Sequence, residues 1–219
     1  MGGVSFLYAI RELIKTVFEQ QIIFDYLSLI SVQCFPVKTN DEISQFLESH
    51  VGNSFVEMQP YSDINKKENR LNRYYFYDYY VKDYNRSQIL NLPWRIITKI
   101  APKRKVSFNP FWGRVWWFLW KDHANVVLQA MSNKNLIFSF LKHSLLPEEI
   151  FFASFLHNSS FCNEVMSQRT TYADYSQSHP GPIDSKLATE LRKSDFLFAR
   201  KFIIDSEGYK TIKELLQEK

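Results

Sequence analysis

Apolar residues recur every three or four positions along the first twenty residues of the chain. Phe6, Ile10, Leu13 and Val17 therefore share one face, and this spacing predicts an amphipathic helix over Val4–Gln20. Helical spacing, together with capping residues or a proline in the first turn, predicts further helices over Thr39–His50, Asp122–Met131, Asn135–His143, Pro147–His157, Asp184–Lys193 and Ser206–Lys219.

Three other segments carry the dense apolar and β-branched residues that are typical of strands: Phe24–Phe35, Ser54–Gln59 and Phe108–Trp120. The first two flank the helix that begins near Thr39, and a strand, a helix and a strand in that order indicate an α/β sheet. The polar segment Pro60–Asn69 predicts a loop. We therefore expect a mixed sheet flanked by helices, in a single domain that spans residues 1–219.

The composition limits how such a domain could bind a substrate. Hydrophobic residues make up 45% of the 219 residues and charged residues 23%, which is typical of a folded protein with a core. The chain has only six glycines and contains neither G-x-G-x-x-G nor a P-loop pattern. If it binds a nucleotide, side-chain cations must therefore supply most of the contacts to the phosphates.

The net charge of +4 is modest, but Lys99–Lys105 forms one concentrated basic patch. Such a patch is typical of a solvated loop, and the alternatives are contact with a phosphate or with a membrane surface. A nucleic-acid binder would have to use this patch together with the aromatic run Tyr74–Val81, and we do not expect nucleic acid as a partner.

The chain carries no sequence signal for secretion or for membrane insertion. Arg11 and Glu12 interrupt the first apolar stretch, and no apolar segment approaches the length of a membrane span. Cys34 and Cys162 are too few to form a disulfide framework, which favours a reducing compartment. We predict a cytoplasmic protein whose contact with the inner membrane surface, if any, is made by Lys99–Lys105.

Two features suggest chemistry on an anionic substrate. The segment Phe196–Phe202 holds Arg200 and Lys201 among apolar residues, where a cationic pair requires an anionic partner. Glu148 and Glu149 begin a predicted helix; there they either only favour the helix dipole, or one of them is a half-buried carboxylate with a raised pKa that suits a general base. Patterns such as H-x-H, H-E-x-x-H, C-x-x-C and Asp-x-Asp do not occur, so no metal ligands are predicted.

Five segments, in order along the chain, resemble motifs of one enzyme family. This is the family of mucin core-branching and I-branching β-1,6-N-acetylglucosaminyltransferases and peptide O-xylosyltransferases, and the likeness is to its compact bacterial members in particular. Ile30–Ile43 resembles the block Leu-Ser-Gly-x-Asp-Tyr-Pro-x-Lys-(Ser/Thr)-x-x-x-Ile, and Phe55–Glu57 resembles a Phe-x-Glu strand. Gly113–Leu119 is similar to the motif Gly-Ser-x-Trp-Trp-x-Leu. Pro147–Glu149 resembles Pro-Asp-Glu, and Leu197–Phe202 resembles Leu-Phe-Ala-Arg-Lys-Phe.

The resemblance implies a GT-A-like, Rossmann-type fold and an inverting glycosyltransferase that works without a metal or other cofactor. The donor would be a UDP-sugar carrying N-acetylglucosamine or xylose, and the acceptor a hydroxyl group of a glycan or protein. Glu149 aligns with the catalytic base of the family. Arg169 and Lys201 align with cations on the donor diphosphate, where they would stabilise the leaving UDP in place of a divalent cation.

The resemblance also suggests where an acceptor would bind. Glu57, Arg70 and Arg73 fall near positions that contact the acceptor in the family. Trp116 and Trp117 either pack against a sugar face or belong to an aromatic core.

The chain departs from the family pattern in two places. Val32 and Cys34 stand where the family block has glycine and aspartate, which removes a polar contact. The likeness begins at a Trp-Gly-Gly-like segment that corresponds to Met1–Gly3, so we expect the fold to be N-terminally incomplete and to lack its first nucleotide-binding strands. The alternative function is therefore a non-catalytic, truncated remnant that binds a glycan or a protein partner.

Overall fold

A computed structural model describes residues 3–61, 70–79, 87–132, 135–174 and 180–217 of the chain. These residues form a mixed α/β fold, which confirms the predicted class. The helices are α1 (Val4–Glu19), α2 (Asn40–Glu48), α3 (Ser87–Leu90), α4 (Leu92–Ile100), α5 (Lys121–Ser132), α6 (Leu136–Leu141), α7 (Glu148–His157), α8 (Ser185–Arg192) and α9 (Glu207–Gln217). The strands are β1 (Tyr26–Ser28), β2 (Phe35–Pro36), β3 (Ser54–Phe55), β4 (Gln59–Pro60), β5 (Phe111–Trp112), β6 (Phe118–Trp120), β7 (Val165–Met166), β8 (Thr171–Ala173) and β9 (Phe198–Arg200).

The strands form two small sheets and a two-stranded ribbon. In the larger sheet the order is β1-β6-β3-β7, where β1 and β3 run antiparallel to β6, and β7 runs parallel to β3. The smaller sheet has the order β2-β9-β8, with β8 parallel and β2 antiparallel to β9, and β4 pairs with β5 in the ribbon. Because β3 and β7 are parallel neighbours, the residues that follow them emerge at the same edge of the larger sheet.

The main core lies between the larger sheet and helices α1, α5 and α7. Helix α7 is apolar on nearly every side, and its Ile150, Phe151 and Phe152 are at most 2% exposed. Burial of each such side chain stabilises the fold by roughly 1.5–3 kcal/mol. A second cluster of buried residues lies under α8 and α9 on the smaller sheet: Val37, Ile183, Ala188, Leu191, Ala199, Phe202 and Ile212.

Local hydrogen bonds explain why several predicted helices begin where they do. Thr39 and Glu42 form a capping box at the start of α2, because the Thr39 hydroxyl accepts from the Glu42 amide and the Glu42 carboxylate accepts from the Thr39 amide. Asn135 caps α6 and Asp184 caps α8 through their side-chain oxygens. These helices, and α1, α5, α7 and α9, lie within two residues of their predicted bounds; residues 218–219 lie outside the described part of the chain.

The prediction of one buried strand over Phe24–Phe35 was wrong. The segment forms β1 in the larger sheet and ends in β2 of the smaller sheet, and Val32 between them is fully exposed. A local turn interrupts the strand, because the Cys34 amide donates to the Ser31 carbonyl and the Ser31 amide to the Cys34 sulfur. Strands β2 and β3 consequently flank α2 but belong to different sheets.

The prediction of a continuous strand over Phe108–Trp120 was also wrong. The segment contains β5 and β6, and the ladder is broken at Gly113, whose amide donates to the Glu149 carbonyl instead of to a neighbouring strand (2.8 Å). Likewise Ser54–Gln59 divides into β3 and the start of β4. Of the predicted loop Pro60–Asn69, residues 62–69 lie outside the described residues.

Helices α3 and α4 were not predicted, and α4 continues into the basic patch Lys99–Lys105. Arg104 in this patch points inward, and its Nη1 atom donates to the His143 carbonyl and the Ser144 hydroxyl, both at 3.0 Å. The patch is therefore not a uniformly solvated loop. No helix among the described residues is both long and apolar enough to cross a membrane.

Candidate active site

A cleft of about 550 Å³ opens where the larger and smaller sheets meet. Glu57 follows β3, Ser167–Arg169 follow β7, and Ser194–Phe196 precede β9. The neighbouring parallel strands β3 and β7 thus deliver Glu57 and Arg169 to one edge. Clefts outside the carboxyl ends of parallel strands are common ligand sites in α/β proteins.

Glu57 lines this cleft and is held by polar contacts on both carboxylate oxygens. Its side chain is 7% exposed. Oε1 accepts from Gln59 Nε2 at 3.0 Å, and Oε2 accepts from the Arg114 amide at 3.3 Å and lies 3.8 Å from Arg114 Nε. Such a buried carboxylate is fixed in orientation, because each oxygen has its own donor.

Arg169 is positioned by the end of β8 and by an aromatic ring. Its Nη2 atom donates to the Ala173 carbonyl at 3.2 Å, and its guanidinium lies 5.7 Å from the centre of the Phe196 ring. The same Ala173 carbonyl accepts from Arg114 Nη1 at 3.3 Å. One carbonyl therefore holds two guanidinium groups close together beside the cleft.

Glu149 lies at the start of α7, and two donors orient its carboxylate. Arg70 Nη1 lies 2.7 Å and Trp112 Nε1 2.9 Å from the same oxygen, Oε2. The Glu149 side chain is 26% exposed, and within the described part of the chain no donor contacts its Oε1. Of the predicted acceptor residues, Arg70 is thus a direct partner of the predicted base.

Ser154 sets the geometry that lets Trp112 reach Glu149. Its hydroxyl is buried on α7, donates to the Phe111 carbonyl and accepts from the Phe111 amide, both at 2.9 Å. These two bonds fix β5 along α7. The next residue, Trp112, is then directed at the first turn of the helix.

The tripeptide Trp112–Arg114 connects Glu57 and Glu149. Trp112 and Gly113 bind Glu149 through the indole and the amide, and Arg114 binds Glu57 through its amide and guanidinium. Gly113 passes so close to Glu57 that a Cβ atom would lie 1.6 Å from the Glu57 carbonyl oxygen. Only glycine fits there, so backbone packing fixes the relative placement of the two carboxylates.

Glu148, the neighbour of Glu149, occupies a different environment. It is 6% exposed, and its Oε2 is buried without a hydrogen-bond partner among the described residues. Burial, with a smaller contribution from the charge of Glu149, raises the pKa of Glu148 to about 7. The raised pKa that the sequence suggested for one of the two acids therefore belongs to Glu148.

The structure disperses the other predicted site residues. Lys201 is half-buried next to β9 and is not among the residues that line the 550 Å³ cleft. Trp117 is 1% exposed and packs against Phe152, which favours the aromatic-core alternative for this residue. Arg73 is exposed and lines a separate cleft with Arg95.

Trp116 and Arg200 form a pair beside these elements. The Arg200 guanidinium lies 4.6 Å from the centre of the Trp116 ring, which gives this half-buried cation an aromatic partner. Trp116 Nε1 has no hydrogen-bond partner among the residues that the structure describes. Arg200 also faces Ala173 in the register of β8 and β9, so it belongs to the same basic region as Arg114 and Arg169.

Sequence reasoning missed Arg114, Trp112 and Gln59. Arg114 stands inside the quoted segment Gly113–Leu119, but nothing local indicates that its partner lies 57 residues away. The Trp112 indole likewise reaches a residue 37 positions further along the chain. A tertiary structure is needed to find such pairs.

A serine, a histidine and a glutamate also form a hydrogen-bonded chain, but in the core. Ser54 Oγ lies 2.8 Å from His123 Nδ1, and His123 Nε2 lies 3.1 Å from Glu164. Ser54 and His123 are fully buried, and the Ser54 hydroxyl also accepts from the Trp120 amide. No substrate can reach this serine, so the chain of bonds stabilises the fold and is not a hydrolytic site.

Among the described residues, no group of three or more His, Cys, Asp or Glu side chains is arranged to hold a metal ion.

A family model described as Core-2/I-Branching enzyme matches residues 1–197. The matched residues include Glu57, Glu149 and Arg169, and Lys201 lies beyond them. No curated protein matches the chain.

Gly113→Ala should destabilise the protein by at least about 2 kcal/mol, because the new methyl group would overlap the Glu57 carbonyl. Urea unfolding measures this loss. Gly181→Ala is the matched control, since a Cβ there meets nothing within 4 Å, and it should change stability by less than about 0.5 kcal/mol. Equal stabilities of the two variants would contradict the packing described for Gly113.

Glu148→Gln should change how stability depends on pH. The folded protein holds the Glu148 proton up to about pH 7, whereas the unfolded chain releases it near the ordinary glutamate pKa of 4.5, so the wild type loses stability as pH rises between these values. The variant lacks this loss, and its stability relative to wild type should increase by about 2–3 kcal/mol from pH 5 to pH 8. Urea unfolding at both pH values measures the difference in stability between the variant and the wild type. The control is Glu207→Gln, which changes an exposed glutamate and should keep the wild-type pH dependence of stability. A constant difference between Glu148→Gln and wild type would refute it.

Proposed function

The chain belongs to the core-2/I-branching enzyme family, whose members are glycosyltransferases, and from this premise we propose that it transfers N-acetylglucosamine or xylose from a UDP-sugar to a hydroxyl group of a glycan or protein. The mixed α/β fold is consistent with the GT-A-like fold of this family. In the proposed reaction the configuration at the anomeric carbon is inverted and no metal ion takes part.

Glu149 is the proposed general base. The observation that carries this proposal is the placement of its carboxylate: Arg70 and Trp112 both bind Oε2, which orients the group at the start of α7. In the reaction Glu149 accepts the proton of the acceptor hydroxyl while the acceptor oxygen forms a bond to the anomeric carbon. The bond from that carbon to the UDP oxygen breaks in the same step, which inverts the configuration.

Arg169 and Lys201 are proposed to stabilise the leaving UDP. Arg169 lines the cleft and is held by the Ala173 carbonyl, so its charge is positioned before the donor binds. Preorganised cations favour a developing negative charge without further rearrangement. Arg114 and Arg200 lie in the same basic region and add to the positive potential there.

Glu57 is proposed to bind the acceptor, with Arg70 supporting the base. The segment Trp112–Arg114 fixes Glu57 relative to Glu149, so an acceptor hydroxyl held at Glu57 would have a defined relation to the base. Arg73, which lines a separate cleft, and the half-buried Trp116 remain proposed acceptor contacts.

Replacing the base should abolish most of the activity and leave the fold intact. Glu149→Gln is expected to lower kcat about 10²- to 10⁴-fold, because the amide cannot accept the proton. UDP release with a panel of UDP-sugars measures the rate, and circular dichroism checks the fold. Glu148→Gln is the matched control on the same helical turn and should keep kcat within about threefold at pH 6, where Glu148 is protonated in the folded protein. Unchanged turnover by Glu149→Gln would remove Glu149 from the mechanism.

Activity should persist in EDTA and should depend on the two cations. Arg169→Ala and Lys201→Ala are each expected to lower kcat about 10²- to 10³-fold, because each removes charge from the leaving group. Lys210→Ala removes an exposed cation from α9 and serves as the control of equal charge. A strict requirement for manganese in the wild type would contradict this account.

The alternative, a non-catalytic binding module, makes a different prediction for donor binding. Calorimetric titration of the folded chain with UDP-N-acetylglucosamine and UDP-xylose separates the two functions. Binding followed by turnover supports the transferase. The absence of both, in folded protein, would favour a module that binds glycan or protein.

A further inference from the structure

Helix α4 exposes a continuous aliphatic stripe. Leu92, Ile96 and Ile100 follow one another at intervals of four residues, and Leu92 is 52% and Ile100 74% exposed. Ile89 and Leu90 of the preceding helix α3 are also exposed, and no residue of α4 is buried. Single exposed apolar residues are ordinary, but a contiguous apolar patch marks a docking surface.

The opposite face of α4 is attached to the protein, which fixes the direction of the stripe. The Trp94 ring packs against two aromatic rings: its centre lies 5.2 Å from the centre of the Phe76 ring and 5.1 Å from the centre of the Tyr79 ring. Ile96 and Ile100 are two and six residues further on, which at about 100° per residue places them on the side away from Trp94. The aliphatic residues therefore face outward because of the helix geometry.

Lysines and arginines flank the stripe, and the surrounding sequence contains no acidic residue. Residues 84–121 contain eight lysines and arginines and no aspartate or glutamate. Arg95, Lys99, Lys103 and Lys105 are exposed. Arg104 between the last two is directed inward, over the Phe140 ring at 3.7 Å, and so attaches the segment while its two neighbours stay in solvent.

A cationic cleft adjoins the stripe. It has a volume of about 420 Å³, and Arg73, Arg95 and Lys99 line it together with Leu92 and Ile96. Among the described residues, none that lines this cleft carries a carboxylate. Its charge and its aliphatic edge suit a phosphate group that carries acyl chains.

We propose that α4 and the basic segment Ala101–Lys105, together called the α4 surface, bind the surface of an anionic phospholipid bilayer. The aliphatic stripe enters the boundary between headgroups and acyl chains, and the cations bind the phosphates. A second copy of the chain would bring two basic surfaces together, and nucleic acid would leave the aliphatic stripe without a partner. The proposal is independent of the glycosyl transfer proposed above.

Vesicle flotation tests the proposal on the full chain. Binding is expected to vesicles of phosphatidylcholine and phosphatidylglycerol (about 3:1), weaker binding to pure phosphatidylcholine, and a loss of binding as salt rises. Ile96→Asn/Ile100→Asn should lower the partition coefficient at least about tenfold. Lys99→Gln/Lys103→Gln should lower it about 25-fold, since each cation contributes near the anionic surface.

Two matched variants control for exposure and charge elsewhere. Ile203→Asn/Ile204→Asn alters exposed aliphatic residues after β9, and Lys210→Gln/Lys213→Gln alters exposed cations of α9. Both should bind vesicles as the wild type does, and thermal melting verifies that all four variants are folded.

Three results would overturn the proposal. If the wild type fails to bind anionic vesicles, the proposal is wrong whatever the variants do. Equal loss of binding in the control pairs would show that the α4 surface is not specific. A dimer seen by light scattering that Ile96→Asn/Ile100→Asn dissociates, without vesicle binding by the wild type, would assign the stripe to a second copy instead.

Discussion

The contact between Gly113 and the Glu57 carbonyl is the constraint on which the site depends. The backbone passes too close for any side chain, and this passage lets Trp112 and the Gly113 amide bind Glu149 while Arg114 binds Glu57. The same passage ends strand β5 and separates it from β6. One steric requirement thus determines both the break in the sheet and the spacing of two carboxylates.

The adjacent acids Glu148 and Glu149 illustrate how one helix start provides two environments. Glu149 emerges toward Arg70 and Trp112, whereas Glu148 turns into the protein, where burial raises its pKa. Residues next to each other on a helix point about 100° apart, so their surroundings need not be alike. The partly exposed, oriented carboxylate suits proton transfer from an acceptor, and the buried one lowers stability as pH rises from about 4.5 to about 7.

The basic residues of the chain serve two separate surfaces. Arg114, Arg169 and Arg200 gather where β8 meets β9, beside the cleft that we propose for the donor. The cations of the α4 surface lie with exposed aliphatic side chains, and we propose that they meet a lipid bilayer. Each proposal is supported by its own residues.

The sequence by itself determined the family and the helices other than α3 and α4. Thr39, Asn135 and Asp184 cap helices through bonds to neighbouring residues, so these boundaries can be predicted from local sequence, and the ordered motifs indicated the family that the match over residues 1–197 shows. Tertiary structure alone decided the strand breaks, the burial of Glu148 and the exposure of the α4 stripe. It also decided which partners meet, because Arg70 binds Glu149 across 79 residues and Arg114 binds Glu57 across 57. Contacts between such distant residues depend on how the elements pack, and no local pattern encodes that packing.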